Sequence, residues 1–234
     1  MDPADLKTDP IDEWLAAGEW AGEAGRPLVT LSYAQSLDGS IAARRGEPMA
    51  LSGPQSQKLT HKLRAAHDAL LVGIGTILSD DPQLNVRLVE GGDPQVVILD
   101  SRLRFPPTAK LMSQGRRPIV FCTALASSQT QDALAAAGVQ VERQAANNSD
   151  RIDLPPMLER LNTLGVRRLM VEGGGEVISS FLSAGLVDRL AITIAPVFVS
   201  GYKPIPSPVR SNLNGLAAEK YGKDIVIWGD IQRT

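Results

Sequence analysis

From Leu28 onward the chain alternates short apolar runs with helix-patterned stretches, and this alternation restricts the fold more than any other feature. The runs predicted as strands are Leu28–Ala34, Ala69–Gly73, Gln95–Asp100, Pro118–Thr123, Val139–Arg143, Arg168–Glu172, Arg189–Pro196 and Ile225–Gly229. Helical patterning covers Pro54–Ala66, Ser127–Ala137, Pro155–Leu164 and Glu176–Ala184. Ser127 and Thr130 open the alanine-rich helix and Gly138 closes it, while Pro155-Pro156 begins the next and Gly165 ends it. Strands and helices in alternation pack as a largely parallel sheet with helices on its faces. The predicted class is therefore α/β, with a mostly parallel central sheet flanked by helices. Ligands of such sheets sit beyond the carboxyl ends of the strands, so residues that directly follow strands carry most weight.

Composition narrows the partners. A formal charge of −2 supplies no basic field for nucleic acid or an anionic membrane. A single cysteine, Cys122, excludes an internal disulfide framework and a cysteine-based zinc cluster, and it sits inside an apolar strand. With 4% aromatic residues, base-stacking platforms are not expected. The acidic start lacks the basic and apolar regions of a signal peptide. The longest apolar run, Leu190–Val199, is broken by Thr193 and Pro196 and falls short of the roughly 20 residues of a spanning helix. A cytoplasmic protein that handles small molecules is expected.

Residues 1–26 read as an N-terminal extension and 27–234 as the main domain. Asp12–Trp20 fits a short helix with Asp9-Pro10 at its start, and Trp14 and Trp20 are expected to dock on the body or on another subunit. The polar stretch Ala145–Ile152 reads as a surface connection. Ser200–Asn214, with three prolines, reads as a long loop before the last strand.

Four segments follow strands. Ser36-Leu37-Asp38-Gly39-Ser40 is either a tight turn, as Asp-Gly favours, or a polar cluster that faces a ligand. Thr76 to Arg87 follows Gly73 and Gly75, small residues that let a cofactor approach the backbone. Within it Asp80-Asp81-Pro82 fits a cap or turn, and Arg87 fits an anion clamp, with Arg64 on the preceding helix as a second candidate. Glu172-Gly173-Gly174-Gly175-Glu176 opens a helix, where free backbone N–H groups suit a phosphate, although the dinucleotide fingerprint G-x-G-x-x-G is missing. Asp100-Ser101-Arg102-Leu103-Arg104 suits the 2′-phosphate of NADP, or is a solvated arginine pair. His61 and His67 are six apart, out of phase for helical metal ligands, and read as surface or capping residues. No metal site, P-loop, G-x-S-x-G or zinc-deaminase signature is present.

In this order, SLDGSIA, LRAAHDALLVGIGTILSDDPQLNVR, LDSRLR, LMVEGGGEVISSFLSAGLVDRL and IAPVFVSG resemble the reductase domain of riboflavin biosynthesis. That domain is the dihydrofolate-reductase-like partner in the bifunctional deaminase/reductase. The resemblance runs from about Leu28 to the C-terminus and leaves residues 1–26 uncovered. It implies a stand-alone homodimeric oxidoreductase that uses NADPH to convert the ribosylamino side chain of a pyrimidine 5′-phosphate to ribitylamino, the deaminase coming from elsewhere. By position it implies that Ala34, Thr76, Asp80, Ser101, Gly174, Gly175, Glu176 and Val177, within a Gly174–Ser180 turn, contact NADPH, with Ala50 at another cofactor position. Pro48, Arg64, Leu84, Arg87 and Glu172 would contact substrate, the arginines holding its 5′-phosphate. The bifunctional enzymes often carry lysine where this chain has Ser32 and tryptophan where it has Ala50. No catalytic residue is assigned: Asp38 is a candidate for ordering the substrate-facing turn and Glu172 for binding substrate polar groups. Two other readings stay open, a related reductase of another pterin or pyrimidine and a non-catalytic NADP-binding partner subunit.

Overall fold

The computed structural model describes residues 9–16, 25–205 and 211–232. Trp20 lies outside them. The elements run α1 (Pro10–Ala16), β1 (Leu28–Ser36), α2 (Pro54–Ala65), β2 (Ala69–Gly73), α3 (Ile74–Asp80), β3 (Gln95–Leu99), α4 (Lys110–Ser113) and β4 (Ile119–Cys122). There follow α5 (Ser128–Ala136), β5 (Gln140–Arg143), α6 (Leu154–Thr163), β6 (Arg168–Val171), α7 (Gly175–Ser183), β7 (Arg189–Ala195), β8 (Asn212–Tyr221) and β9 (Asp224–Gln232).

All of these strands share one sheet, in the order β5-β4-β3-β2-β6-β1-β7-β9-β8. Pairing is parallel from β5 through β7, and only β9 and β8 add on antiparallel. The strand side chains alternate between two cores. Leu70, Val72, Val96, Ile98 and Met170 pack with Leu59 and Leu63 of α2, Ile77 of α3 and Leu134 of α5. Ala69, Leu71, Val97, Leu169 and Val171 pack with Met157, Leu158 and Leu161 of α6 and Ile178 and Phe181 of α7. Burial on both faces explains why the central strands read as continuous apolar runs. Truncating a leucine as deeply buried as Leu71 or Leu161 to alanine should cost about 2–5 kcal/mol.

Local signals explain the boundaries. Ser127 Oγ accepts the Thr130 N–H at 3.0 Å and caps α5, and Gly138 follows it at φ 91°. Helix α2 starts at Gly53, which has no side chain to cap with. Asp224, on β9, supplies the missing acceptor: its Oδ2 takes the Gly53 N–H at 2.7 Å and the Ser56 hydroxyl at 2.6 Å. In the extension, Ile11 and Leu15 are buried in the first core. The Trp14 indole N–H donates to Asp230 at 3.0 Å, and the Arg189 guanidinium lies 4.8 Å from its ring centre, so Trp14 docks on the body as expected.

Two readings need correction. Residues Ser200–Asn214 do not run as a loop to the last strand: β8 begins at Asn212, and Tyr202 bridges to Ala42. The segment after Gly73 forms helix α3, with Asp81 of the Asp80-Asp81-Pro82 stretch as its C-cap at φ 41°. Neither His61 nor His67 is a surface residue, since each is only 4% exposed, and of the two only His67 caps, at the C-terminal end of α2. His67 Nδ1 lies 2.6 Å from the Leu63 carbonyl oxygen and Nε2 lies 2.8 Å from Thr30 Oγ1. A carbonyl only accepts, so Nδ1 carries the proton and Nε2 accepts from the Thr30 hydroxyl. The ring thereby ties the end of α2 to β1.

This burial has a pH consequence. Desolvation holds His67 neutral, its pKa lowered to about 4 from the ordinary 6.5. The unfolded chain therefore binds the proton first as pH falls. Stability is complete above about pH 6.5, declines through the window down to about 4, and the loss from this residue reaches about 3 kcal/mol. Urea midpoints at pH 7.5 and 4.5 should show the decline. A His67→Gln variant, less stable at pH 7.5, should lose less between the two; an equal loss would discount this histidine.

Candidate functional site

The carboxyl ends of β1, β2, β3 and β6 open into a single cleft of about 1290 Å³. Its floor is the sheet itself, with Ser32, Tyr33 and Ala34 from β1 and Thr193 from β7. One wall joins Gly73–Thr76, Ser79 and Asp80 from the β2–α3 junction to Leu99, Ser101, Arg102 and Arg104 beyond β3. The opposite wall is Glu172–Val177, where β6 runs into α7. Arg45 to Met49 and the loop from Asn147 to Leu154 form the rim. Ala34, Thr76, Asp80, Ser101, Gly174, Gly175, Glu176 and Val177 all line this one space. Ala50 does not, although its neighbours Met49 and Leu51 do.

Backbone geometry keeps the α7 end accessible. The N-cap Gly174 has extended φ and ψ, and a methyl group added there would meet nothing within 4 Å. The first N–H groups of α7 have no intrahelical partners, and they point where an anion is favoured. The segment expected as a Gly174–Ser180 turn is in fact the first two turns of this helix. At Gly73 the space is already taken: an added Cβ would stand 2.8 Å from Val177 Cγ2. Strand β2 and helix α7 therefore approach closely because Gly73 has no side chain.

Beside the cleft lies a charged cluster. Glu172 accepts from Arg64 Nε at 2.8 Å and from Arg64 Nη2 at 2.7 Å, a bidentate pair with both side chains under one-fifth exposed. Arg64 Nη1 also donates to the Asn85 carbonyl at 3.1 Å. Burial opposes the charge on Arg64, but the Glu172 carboxylate outweighs it and holds the guanidinium above its ordinary pKa. His61 sits next to this pair and accepts the Arg87 backbone N–H at Nδ1, 3.1 Å away. Burial first, then the charges of Arg64 and Arg87, lower its pKa to about 4, so it stays the acceptor that the Arg87 segment needs. Arg87 itself donates to Asn85 Oδ1 at 2.9 Å.

Not every expected substrate contact faces the cleft. Pro48 and Glu172 line it; Arg64, Leu84 and Arg87 do not. Leu84 is buried in the core at φ 54°. Arg64 is turned onto Glu172, and Arg87 is exposed on the segment after α3. Asp38 is also outside the lining. Its Oδ1 accepts from the Ser36 hydroxyl at 2.7 Å and the Val199 N–H at 3.0 Å. Its Oδ2 accepts from the Ser40 hydroxyl at 2.7 Å and the Ser200 N–H at 3.1 Å. The Val199 bond and its three companions hold the carboxyl well below the usual carboxylate range. Both early readings of the Asp-Gly segment are thus answered by a turn at Gly39, φ 82°, that Asp38 staples to the 199–200 loop.

Sequence reasoning missed Arg45, Thr193, Tyr202 and the 147–154 rim, which had read as a plain surface connection. Thr193 lies opposite Ala34 in the β1–β7 register, so strand pairing was the only signal that brought it to the floor. Ser32 and Thr193 are buried, and neither hydroxyl has a protein hydrogen-bond partner among the described residues. Both are available to a ligand.

The chain is similar to several known proteins. The 2,5-diamino-6-ribosylamino-4(3H)-pyrimidinone 5′-phosphate reductase of Archaeoglobus fulgidus is 37% identical over 186 residues, spanning 75% of this chain and 83% of that protein. The solved riboflavin biosynthesis reductase of Saccharomyces cerevisiae is 30% identical, with a TM-score of 0.77 over 96% of this chain and 100% of the other. Dihydrofolate reductase from Enterococcus faecalis, 14% identical with a TM-score of 0.51 over 87% of this chain and 96% of its own, shares the fold, which is dihydrofolate-reductase-like. The profile of the RibD C-terminal domain matches residues 27–227, the span that supplies every wall of the cleft. The profile match over 27–227, with these sequence and structural likenesses, shows that the chain belongs to the RibD C-terminal domain family.

Proposed function

We propose that this protein is an NADPH-dependent reductase that converts the ribosylamino side chain of a pyrimidine 5′-phosphate to ribitylamino in riboflavin biosynthesis. The observation that carries the reading is the single cleft that gathers all eight residues expected at a cofactor, with Glu172 beside them. The cleft fits a nicotinamide dinucleotide on chemical grounds. It offers free N–H groups at α7 for phosphate, an open approach at Gly174, and Ser101 with Arg102 and Arg104 at the end of β3. The Archaeoglobus relative is named a reductase of a ribosylaminopyrimidinone 5′-phosphate, and the yeast one a riboflavin biosynthesis reductase.

When bound, the reduced nicotinamide supplies hydride to the C1′ carbon of the opened ribosylamine. The chain's own part is positioning. Ala34 and the floor hydroxyls of Ser32 and Thr193 orient the reacting ends against the sheet. Glu172, fixed by Arg64, presents a carboxylate to substrate N–H or O–H groups. Pro48 and the rim loops exclude water from the reacting carbon. The expected homodimer and cytoplasmic location belong to this reading. No helix of the described residues is long and apolar enough to cross a membrane.

Incubation with NADPH and 2,5-diamino-6-ribosylamino-4(3H)-pyrimidinone 5′-phosphate should consume the cofactor and yield the ribitylamino product. Arg102, which has no ion-pair partner among the described residues, is expected to set the preference for NADPH. Arg102→Ala should weaken NADPH binding about tenfold and leave NADH unchanged. Cofactor binding without turnover of this pyrimidine or its deaminated counterpart would favour another substrate or a non-catalytic partner role.

A further inference from the structure

Two arginines from separate loops converge on one carboxylate at the mouth of the cleft. Arg45 follows β1, and Arg151 precedes α6. Arg45 Nη2 pairs with Glu176 Oε1, and Arg151 Nη1 lies 3.2 Å from Glu176 Oε2. All three line the cleft, and Glu176 stands in the first turn of α7, two residues after the open Gly174. The side chains are 66%, 51% and 46% exposed, so these pairs are screened by water and each is worth little.

The loops beneath the arginines are better anchored than the pairs themselves. Asn147 Oδ1 accepts the Ser149 and Arg151 N–H groups at 2.9 and 3.2 Å, and the Asn147 N–H donates to the Arg151 carbonyl at 2.7 Å. The Arg45 loop is held by the bridge between Ala42 and Tyr202. The guanidinium groups can therefore change partner without their loops unfolding. One carboxylate facing two guanidiniums leaves the triad itself at +1 beside the anion-favouring free N–H groups of α7, with Glu47, Asp150 and Asp153 elsewhere on the lining.

We propose that Arg45 and Arg151 are ligands for the diphosphate of the dinucleotide, and that Glu176 is a placeholder that holds them across the cleft until the diphosphate displaces it. The assignment rests on the reading of the cleft as a dinucleotide site. The diphosphate offers each arginine a singly charged phosphate with two non-bridging oxygens in place of one oxygen of a shared carboxylate. Glu176 thereby holds the two guanidiniums, on loops already anchored by their own hydrogen bonds, facing the cleft in the free protein until the diphosphate takes them over.

Direct binding measurements on the full chain test this without turnover. Arg45→Ala and Arg151→Ala should each weaken NADPH and NADH alike, by about tenfold, and flatten the dependence of the dissociation constant on salt. Both should leave the affinity for reduced nicotinamide mononucleotide, which has no diphosphate, unchanged. Glu176→Gln should tighten both dinucleotides several-fold. Loss confined to NADPH would move the arginines to the 2′-phosphate and overturn the diphosphate assignment. Glu176→Gln binding more weakly than the wild type would make the triad a structural strap and overturn the exchange. Failure of the wild type to bind either dinucleotide would overturn the reading of the cleft, whereas tight wild-type binding with no change in any variant overturns the exchange alone.

Discussion

Glu172→Ala is expected to destabilise the protein by about 3–5 kcal/mol and to abolish reduction of the pyrimidine substrate. The stability loss follows from Arg64. Its guanidinium is 12% exposed and would keep one bond, to the Asn85 carbonyl, after losing both carboxylate oxygens. A buried cation without its partner costs far more than the intact pair contributes. The double change Arg64→Met with Glu172→Leu separates the two effects. It should recover most of the stability, because similar volumes without charge replace the pair, and remain inactive. Urea midpoints and NADPH oxidation measured side by side check this. A Glu172→Ala protein of wild-type stability would show that Arg64 finds other partners, and an active double variant would remove Glu172 from the substrate site.

Gly201→Ala is expected to cost at least about 1–3 kcal/mol and to weaken dinucleotide binding, although Gly201 bears no side chain and carries no charge. A Cβ at this position would overlap the Ala42 carbonyl oxygen and lie 2.8 Å from that of Ala43. Both obstacles are backbone atoms, so no rotamer change relieves them. The segments must separate, which breaks the 2.8 Å bond from the Tyr202 N–H to Ala42 and the 2.9 Å bond from the Ile41 N–H to Tyr202. Tyr202 then leaves Gly175, where its ring fills the space an added Cβ would need, and the Arg45 loop loses its anchor. Gly174→Ala is the control. It faces open space, so its urea midpoint should equal that of the wild type, while any loss of affinity would report a ligand passing close to that backbone.

The parallel half of the sheet was legible because both of its faces are buried. Runs such as Leu70-Leu71-Val72 and Leu169-Met170-Val171 have no alternative reading in water. Strand β8 was not legible for the opposite reason. It is an edge strand, exposed along most of its length, and its register shifts between Asn214 and Ala217 around Gly215, φ 59°. Such a strand needs backbone partners and hardly any apolar side chains. Helix α3 was hidden by a strand that passes into it with no connecting loop. The buried histidines escaped because their partners, Leu63 oxygen, Thr30 and the Arg87 N–H, leave no mark in a local pattern. Of the positions carried by the family resemblance, Pro48, Glu172 and the eight cofactor positions converged on the cleft, whereas Ala50, Arg64, Leu84 and Arg87 did not. The rim arginines did not stand out, since an isolated arginine in a polar loop has the same composition whether it faces water or a phosphate.

The cap that Asp224 places on α2 has a consequence for how the chain is made. Helix α2 leaves the ribosome early, but the acceptor for its first turn arrives on the final strand. Until β9 pairs with β7, the Gly53 end has only solvent to bond with, and the segment that carries His61 and Arg64 stays free to fray. Maturation of the charged cluster beside the cleft therefore waits on β9. A nascent chain stalled before Asp224 would carry a sheet whose helices are present and whose substrate wall is unfinished.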